Sequence, residues 1–184
     1  MSKLNDFMSL LTGTFNNAEQ YESLKKAGTD FPFAKHVNTV CNSKILNLPA
    51  DFKGIFMVEE SYYTSGDKTH PTPHLFLFTE ESDGIKLTSY ELPCGYTKES
   101  FTYENITALD YKDLKPSEKF TPALYTQKDG VWEGGGSTSM FSPVLKFTLF
   151  ERFSTEALEV TESMEVNGKK TFGYDEPIIY KRLS

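Results

Sequence analysis

What this chain has little of narrows its reading first. Its 184 residues include two cysteines, Cys41 and Cys94, and three histidines, His36, His70 and His74. Two cysteines are too few for a disulfide framework. His70 and His74 have the spacing of a helical ligand pair, but Pro71 and Pro73 lie between them and forbid that helix, so no metal site is expected. Basic residues are outnumbered, with 19 Lys and Arg against 26 Asp and Glu and a formal net charge of -7. The basic stripe that displaces counterions from phosphates is missing, which excludes a nucleic-acid partner. No apolar run approaches the roughly 20 residues that cross a bilayer. The opening MSKLNDFMSLLTG lacks the apolar core and cleavage pattern of a secretory leader, so a cytoplasmic protein without membrane partners is expected. Hydrolase signatures are missing as well: no serine sits in a nucleophile elbow, and neither cysteine has a histidine beside it. EGGGSTS, residues 133–139, has no lysine after its glycines and reads as a strand connection rather than a phosphate loop. Cys41 reads as a small buried residue, and Cys94, in ELPCGY, as part of a turn.

Aromatic residues are plentiful. Fifteen Phe and ten Tyr, within a hydrophobic content of 38%, supply the core of one domain spanning residues 1–184. Leu4, Phe7, Met8, Leu11 and Phe15 recur at helical spacing until Gly13 interrupts them, predicting a short amphipathic helix. NAEQYESLKKAG predicts a second one, with Asn17 at its start and Gly28 at its end. Beyond Asp30 the chain becomes a series of short alternating or aromatic runs. TSGDK, EESDGI, QKDGV and VNGKK separate several of them with the chemistry of tight antiparallel turns. About ten strands at this spacing, preceded by helix, predict a mainly β fold: an antiparallel barrel or strongly curved sheet under an N-terminal helical segment. A barrel of that size has room for a small ligand.

One run carries a problem for any such fold. In GIFMVEESYY, Ile55, Met57, Glu59, Ser61 and Tyr63 share one face, and Phe56, Val58, Glu60 and Tyr62 share the other. Whichever face turns inward takes a glutamate and a tyrosine with it, and an unpaired buried charge costs on the order of several kcal/mol. A cavity whose occupant brings hydrogen-bond donors would meet that acid; a bulge that turns Glu59 to a surface lysine is the alternative.

The order of several motifs resembles the T-type phycobiliprotein lyases, the CpeT/CpcT family, over nearly the whole chain. LTGTFNNAEQ is similar to the family's opening, through Gly13, Phe15, Asn17 and Gln20, and FPFAKHV to its proline-aromatic segment leading to a histidine, His36. GIFMVEESYY resembles the glycine-led strand ending in Glu-Gln-x-Tyr, with Glu59 at the glutamate, Glu60 replacing the glutamine and Tyr62 at the tyrosine. TFGYDEPIIYKR resembles the closing pattern, with Phe172 in place of a tryptophan, then Gly173, Pro177 and Arg182. Two segments depart: HPTPHLFLF stands where the family has Tyr-Arg-x-Arg, and VTESME replaces a Trp-Asp-Arg-Gly segment, leaving Thr161 at the aspartate position with Glu162 beside it.

The resemblance implies a lipocalin-like, calycin-type barrel with no permanently bound cofactor. It would take an open-chain tetrapyrrole, a bilin such as phycoerythrobilin or phycocyanobilin, and deliver it for thioether attachment to a cysteine of a phycobiliprotein β-subunit. A homodimer is also implied. Such a ligand needs aromatic walls, an acceptor for pyrrole N–H groups, and cations for its propionates. The candidate walls are Phe56, Tyr62, Tyr63, Phe76, Phe78, Tyr90 and Trp132. Glu59, Glu60 and Glu162 are the candidate acceptors, with Glu59 taken as the catalytic acid, and His74, Lys86, Arg152 and Arg182 the candidate cations. Phe76 and Phe78 have core packing as their rival role, Trp132 hairpin packing, and Arg182 a solvated terminus. A non-catalytic carrier of a bilin or another amphipathic ligand is the alternative function.

Overall fold

Turn chemistry sets the topology. Asp129-Gly130 and Asn167-Gly168 all take positive φ, of 52° and 80° and of 51° and 75°, the backbone that lets a two-residue loop match the twist of its flanking strands. The computed structural model describes residues 2–142 and 144–183. Helix α1 spans Lys3–Leu11 and α2 Ala18–Lys26, and the strands are β1 Gly13–Asn16, β2 Phe33–Val40, β3 Ile45–Leu46, β4 Ile55–Ser65, β5 Lys68–Glu80, β6 Ile85–Tyr90, β7 Leu109–Asp110, β8 Ala123–Lys128, β9 Val131–Ser142, β10 Leu145–Phe153, β11 Leu158–Val166, β12 Lys169–Gly173 and β13 Ile178–Arg182.

Ten strands close a lipocalin-like antiparallel barrel in the order β10-β9-β8-β6-β5-β4-β2-β1-β13-β11, with β11 pairing back onto β10. β12 lies along the far half of β11, and β3 and β7 form a separate parallel pair. EGGGSTS, expected as a connection, is instead part of β9. Its glycines let strands pass closely: a Cβ at Gly134 would stand 2.5 Å from the Leu124 carbonyl oxygen, and Gly135 has φ +88° beside the Leu149 carbonyl.

The wall is incomplete on one side. β6 pairs with β5 only over Leu75–Glu80, and β8 pairs with β9 only up to Gly134, so residues 68–74 and 135–142 have no strand between them. The ring of Phe120 stands in that opening, 6.4 Å from His74 on one side and 5.9 Å from Phe147 on the other, both edge-on. Pro71 and Pro73 lie on this stretch of β5, paired in register with Tyr62 and Glu60 of β4. Their missing N–H groups are those that would point away from β4 into the opening.

Helix α1 plugs the other end. Leu4, Phe7, Met8 and Leu11 are buried, and the Phe7 ring sits 5.0–5.4 Å from Phe78, Tyr125, Trp132 and Phe153. The helix is held at both ends. The Ser2 hydroxyl accepts from the Asn5 N–H, and the Arg182 guanidinium donates to the carbonyls of Ser9, Leu10 and Thr12. Arg182 therefore caps α1 and stacks 4.7 Å over Phe15 instead of dangling as a solvated terminus. Asn17, at the start of α2, makes no side-chain cap; it accepts from the Ala34 N–H at 2.8 Å and donates to the Pro32 carbonyl at 2.9 Å.

A second core answers why β4 is apolar on both faces. Outside the barrel, Phe56 and Val58 of β4 and Leu75 and Leu77 of β5 pack against Phe101 and Ile106 of the long segment between β6 and β8.

Candidate functional site

The inward parity of each strand decides what the barrel holds. On β4 it is Met57, Glu59, Ser61 and Tyr63, and on β5 it is His70, Thr72, His74, Phe76 and Phe78. Cross-strand pairing sets Glu59 opposite His74, Ser61 opposite Thr72 and Tyr63 opposite His70, so a polar stripe climbs this wall. The facing wall carries Leu145, Phe147 and Leu149 from β10 and Met164 from β11, with Glu151 and Glu162 on the same strands.

Between the walls lie two adjoining spaces. A deep chamber of about 70 Å³ has Leu11, Phe78, Glu59 and Glu151 in its lining. Above it a vestibule of about 640 Å³ is lined by Tyr63, His70, Thr72, Lys98, Met164 and Tyr174, among others. His74, Phe120, Phe147 and Glu162 border both. The vestibule lies within the roughly 300–1,000 Å³ of small-molecule sites.

Three carboxyl groups converge on these spaces, each held above the ordinary carboxyl value. Burial, then the neighbouring Glu151 and Glu162, raise Glu59 to about 8, with the Ser61 hydroxyl bond at 3.1 Å opposing. Burial and Glu151 raise Glu162 to about 7, and the Tyr63 hydroxyl donates to it at 3.5 Å. Glu151 is raised by burial and accepts a short hydrogen bond from Tyr125. The histidines shift the opposite way: burial and His74 lower His36 to about 3, and burial and Lys98 lower His74 to about 4. Near pH 7 Glu59 and both imidazoles are thus uncharged and Glu162 keeps part of its proton, which lowers the cost of the buried glutamate.

His36 makes this geometry pointed. Its Nε2 lies 2.9 Å from the Tyr180 hydroxyl, while Nδ1 is buried without a hydrogen bond, 3.7 Å from Glu59 Oε2. Since both groups are neutral, this contact is not an ion pair, and at 3.7 Å it is too long for a hydrogen bond. Among the described residues no set of three or more His, Cys, Asp and Glu is placed to hold a metal ion.

Six of the residues expected from sequence meet here: Glu59, Tyr63, His74, Phe76, Phe78 and Glu162. Phe78 also packs on Phe7, so its cavity and core roles coincide. Eight others lie elsewhere, among them Phe56 in the outer core and Arg182 at the end of α1. Glu60 and Tyr62 occupy the outer face of β4, where Glu60 accepts from the Tyr62 hydroxyl and the Tyr103 N–H and ties the long segment to the sheet. Tyr90 packs on Phe56 in the outer core, and Lys86 pairs with Glu81 at 2.5 Å outside the barrel. Arg152 lines a surface groove beside Glu159. Trp132 has inward parity but belongs to the plugged end, against Phe7. Sequence reasoning missed Glu151, whose signal lay in VLKFTLFERF, where it shares parity with Phe147, Leu149 and Phe153. It also missed Thr72 and Lys98, which only the fold brings together.

Fold and cavity define a lipocalin-like barrel, open at one end and at one side, with three buried carboxyl groups in its interior. No protein-family model matches the chain, and no curated protein matches it. No helix among the described residues is long and apolar enough to cross a membrane.

Proposed function

We propose that this barrel binds an open-chain tetrapyrrole and presents it for thioether attachment to a cysteine of a phycobiliprotein β-subunit. The observation that carries the reading is Glu59, held neutral in the deep chamber that adjoins a roomy, aromatic-walled vestibule. A bilin combines a flat conjugated body with pyrrole N–H groups and one imine-type nitrogen. The apolar side chains of Phe147, Leu149 and Met164 suit the body, and the polar stripe on β4 and β5 suits the nitrogens. A carboxylic acid held near neutrality can pass its proton to the imine nitrogen, leaving a carboxylate beside a cationic pigment. Glu162, raised less, is the second acceptor for the N–H groups.

Attachment then needs no oxidant. The acceptor thiolate adds to an exocyclic double bond of ring A, the C–S bond replaces the π bond, and a proton from solvent or acid completes the adjacent carbon. The barrel's part is to hold one pigment conformation with that bond exposed, an effect of proximity.

Titration with phycocyanobilin and phycoerythrobilin tests the reading. A red shift of the long-wavelength band that is lost in Glu59→Gln supports it, and no spectral change in the wild-type protein refutes it. Adding the acceptor subunit separates the two functions: pigment that stays on the subunit after denaturation identifies transfer, whereas binding without transfer leaves a carrier.

A further inference from the structure

We infer that the β5 wall of the vestibule carries a carboxylate subsite, in which the Thr72 hydroxyl and the Lys98 ammonium hold an acidic group of the ligand. The inference deepens the proposed pigment reading, on which the identity of the ligand rests, but its geometry stands without it.

The first observation is an unused hydroxyl. Thr72 Oγ1 lines the vestibule, is shielded from water and has no hydrogen-bond partner. Leaving a buried hydroxyl unpaired is costly, and a ligand atom is a natural partner. The second is an unpaired cation. Lys98 lines the same space and makes no ion pair among the described residues, and its charge is felt at His74, on the same wall as Thr72. The third is the chemistry of the strand edge. With Pro71 and Pro73 flanking Thr72, this stretch of β5 offers no backbone N–H toward the opening from those positions, so an anion arriving there depends on side chains for its donors.

These groups sort the polar lining by depth. Glu59 and Glu151 border the deep chamber, which suits a ligand's nitrogens, while Lys98 is absent from that chamber and borders the vestibule and a small groove beside Glu60 and Glu99, which suits a charged tail. None of the arginines of this chain lines either space. A ligand with nitrogens at one depth and a carboxylate several bonds away fits both at once, whether the acid is a bilin propionate or the head of a long-chain fatty acid.

The test compares acids with their esters on the intact protein. Phycocyanobilin and its dimethyl ester are titrated by absorbance, and a dansylated long-chain fatty acid and its methyl ester by fluorescence. The subsite predicts that the wild-type protein binds each acid about tenfold more tightly than its ester at low salt, the scale of one charge-assisted hydrogen bond. Lys98→Met and Thr72→Val each shrink that ratio toward one without weakening ester binding. Thr72→Val also raises the melting temperature, because it removes the unpaired hydroxyl while keeping the shape. Equal binding of bilin and ester overturns the subsite and leaves the pigment reading intact. A fatty-acid preference that depends on Lys98, without bilin binding, supports the subsite and removes the pigment reading. Failure of both acids to bind overturns both.

Discussion

Replacing Glu59 with glutamine is expected to stabilise this protein, and by an amount that grows with pH. The ordinary carboxyl value is 4.5, whereas the folded barrel holds Glu59 at about 8. Between those values the folded chain keeps a proton that the unfolded chain has released, so stability falls as pH rises through that window. Glutamine has the shape of the protonated acid and releases nothing. The variant should match wild type near pH 4, exceed it by about 3 kcal/mol at pH 7, and by about 5 kcal/mol at pH 9, each unit of displacement being worth about 1.4 kcal/mol. Urea unfolding at these values, read from the fluorescence of Trp132, gives the difference directly, because this sole tryptophan is only 1% exposed and lies at the plugged end. A difference that stays flat across pH, or a variant less stable than wild type at pH 9, would refute the claim that the barrel holds Glu59 neutral.

Three further outcomes follow from packing and exposure. Phe7→Ala removes the ring around which the plug is built and should cost about 3–5 kcal/mol in denaturant unfolding. Gly135→Ala forces a side chain onto the Leu149 carbonyl at a positive φ, so circular dichroism should show loss of the folded state, whereas the same change at Gly95, also at positive φ but in open space, should keep the fold at a cost of about 1–2 kcal/mol. Cys94 is exposed and should react with a thiol reagent at pH 8 within minutes. Cys41 is fully buried with its thiol pushed up to about 12, and it should react only on unfolding.

Much of the barrel was legible in the sequence because turns and alternation are local. All four hairpin signals fall between antiparallel neighbours: β4 and β5, β5 and β6, β8 and β9, β11 and β12. The alternation in GIFMVEESYY correctly paired Glu59 with Met57 and Tyr63 on one face. It did not say which face was inside, because a second core covers the outer one and both faces read as apolar. Lys86, Tyr90 and Arg152 suited the ligand by residue type but lie on the outward parity. Pro71 and Pro73 argued against a helix and hid the fact that β5 runs straight through them. Lys98 was invisible for another reason: its segment has no periodicity, and only the closed barrel brings it to the vestibule.

Those prolines have a wider consequence. A side opening in a barrel exposes backbone that other chains could extend, which is how sheets recruit strands and begin to aggregate. Along β5 here, two of the donors a newcomer would need are replaced by carbon. The slot makes a poor template for foreign polypeptide, so the barrel can leave this wall incomplete without inviting self-association along that rim.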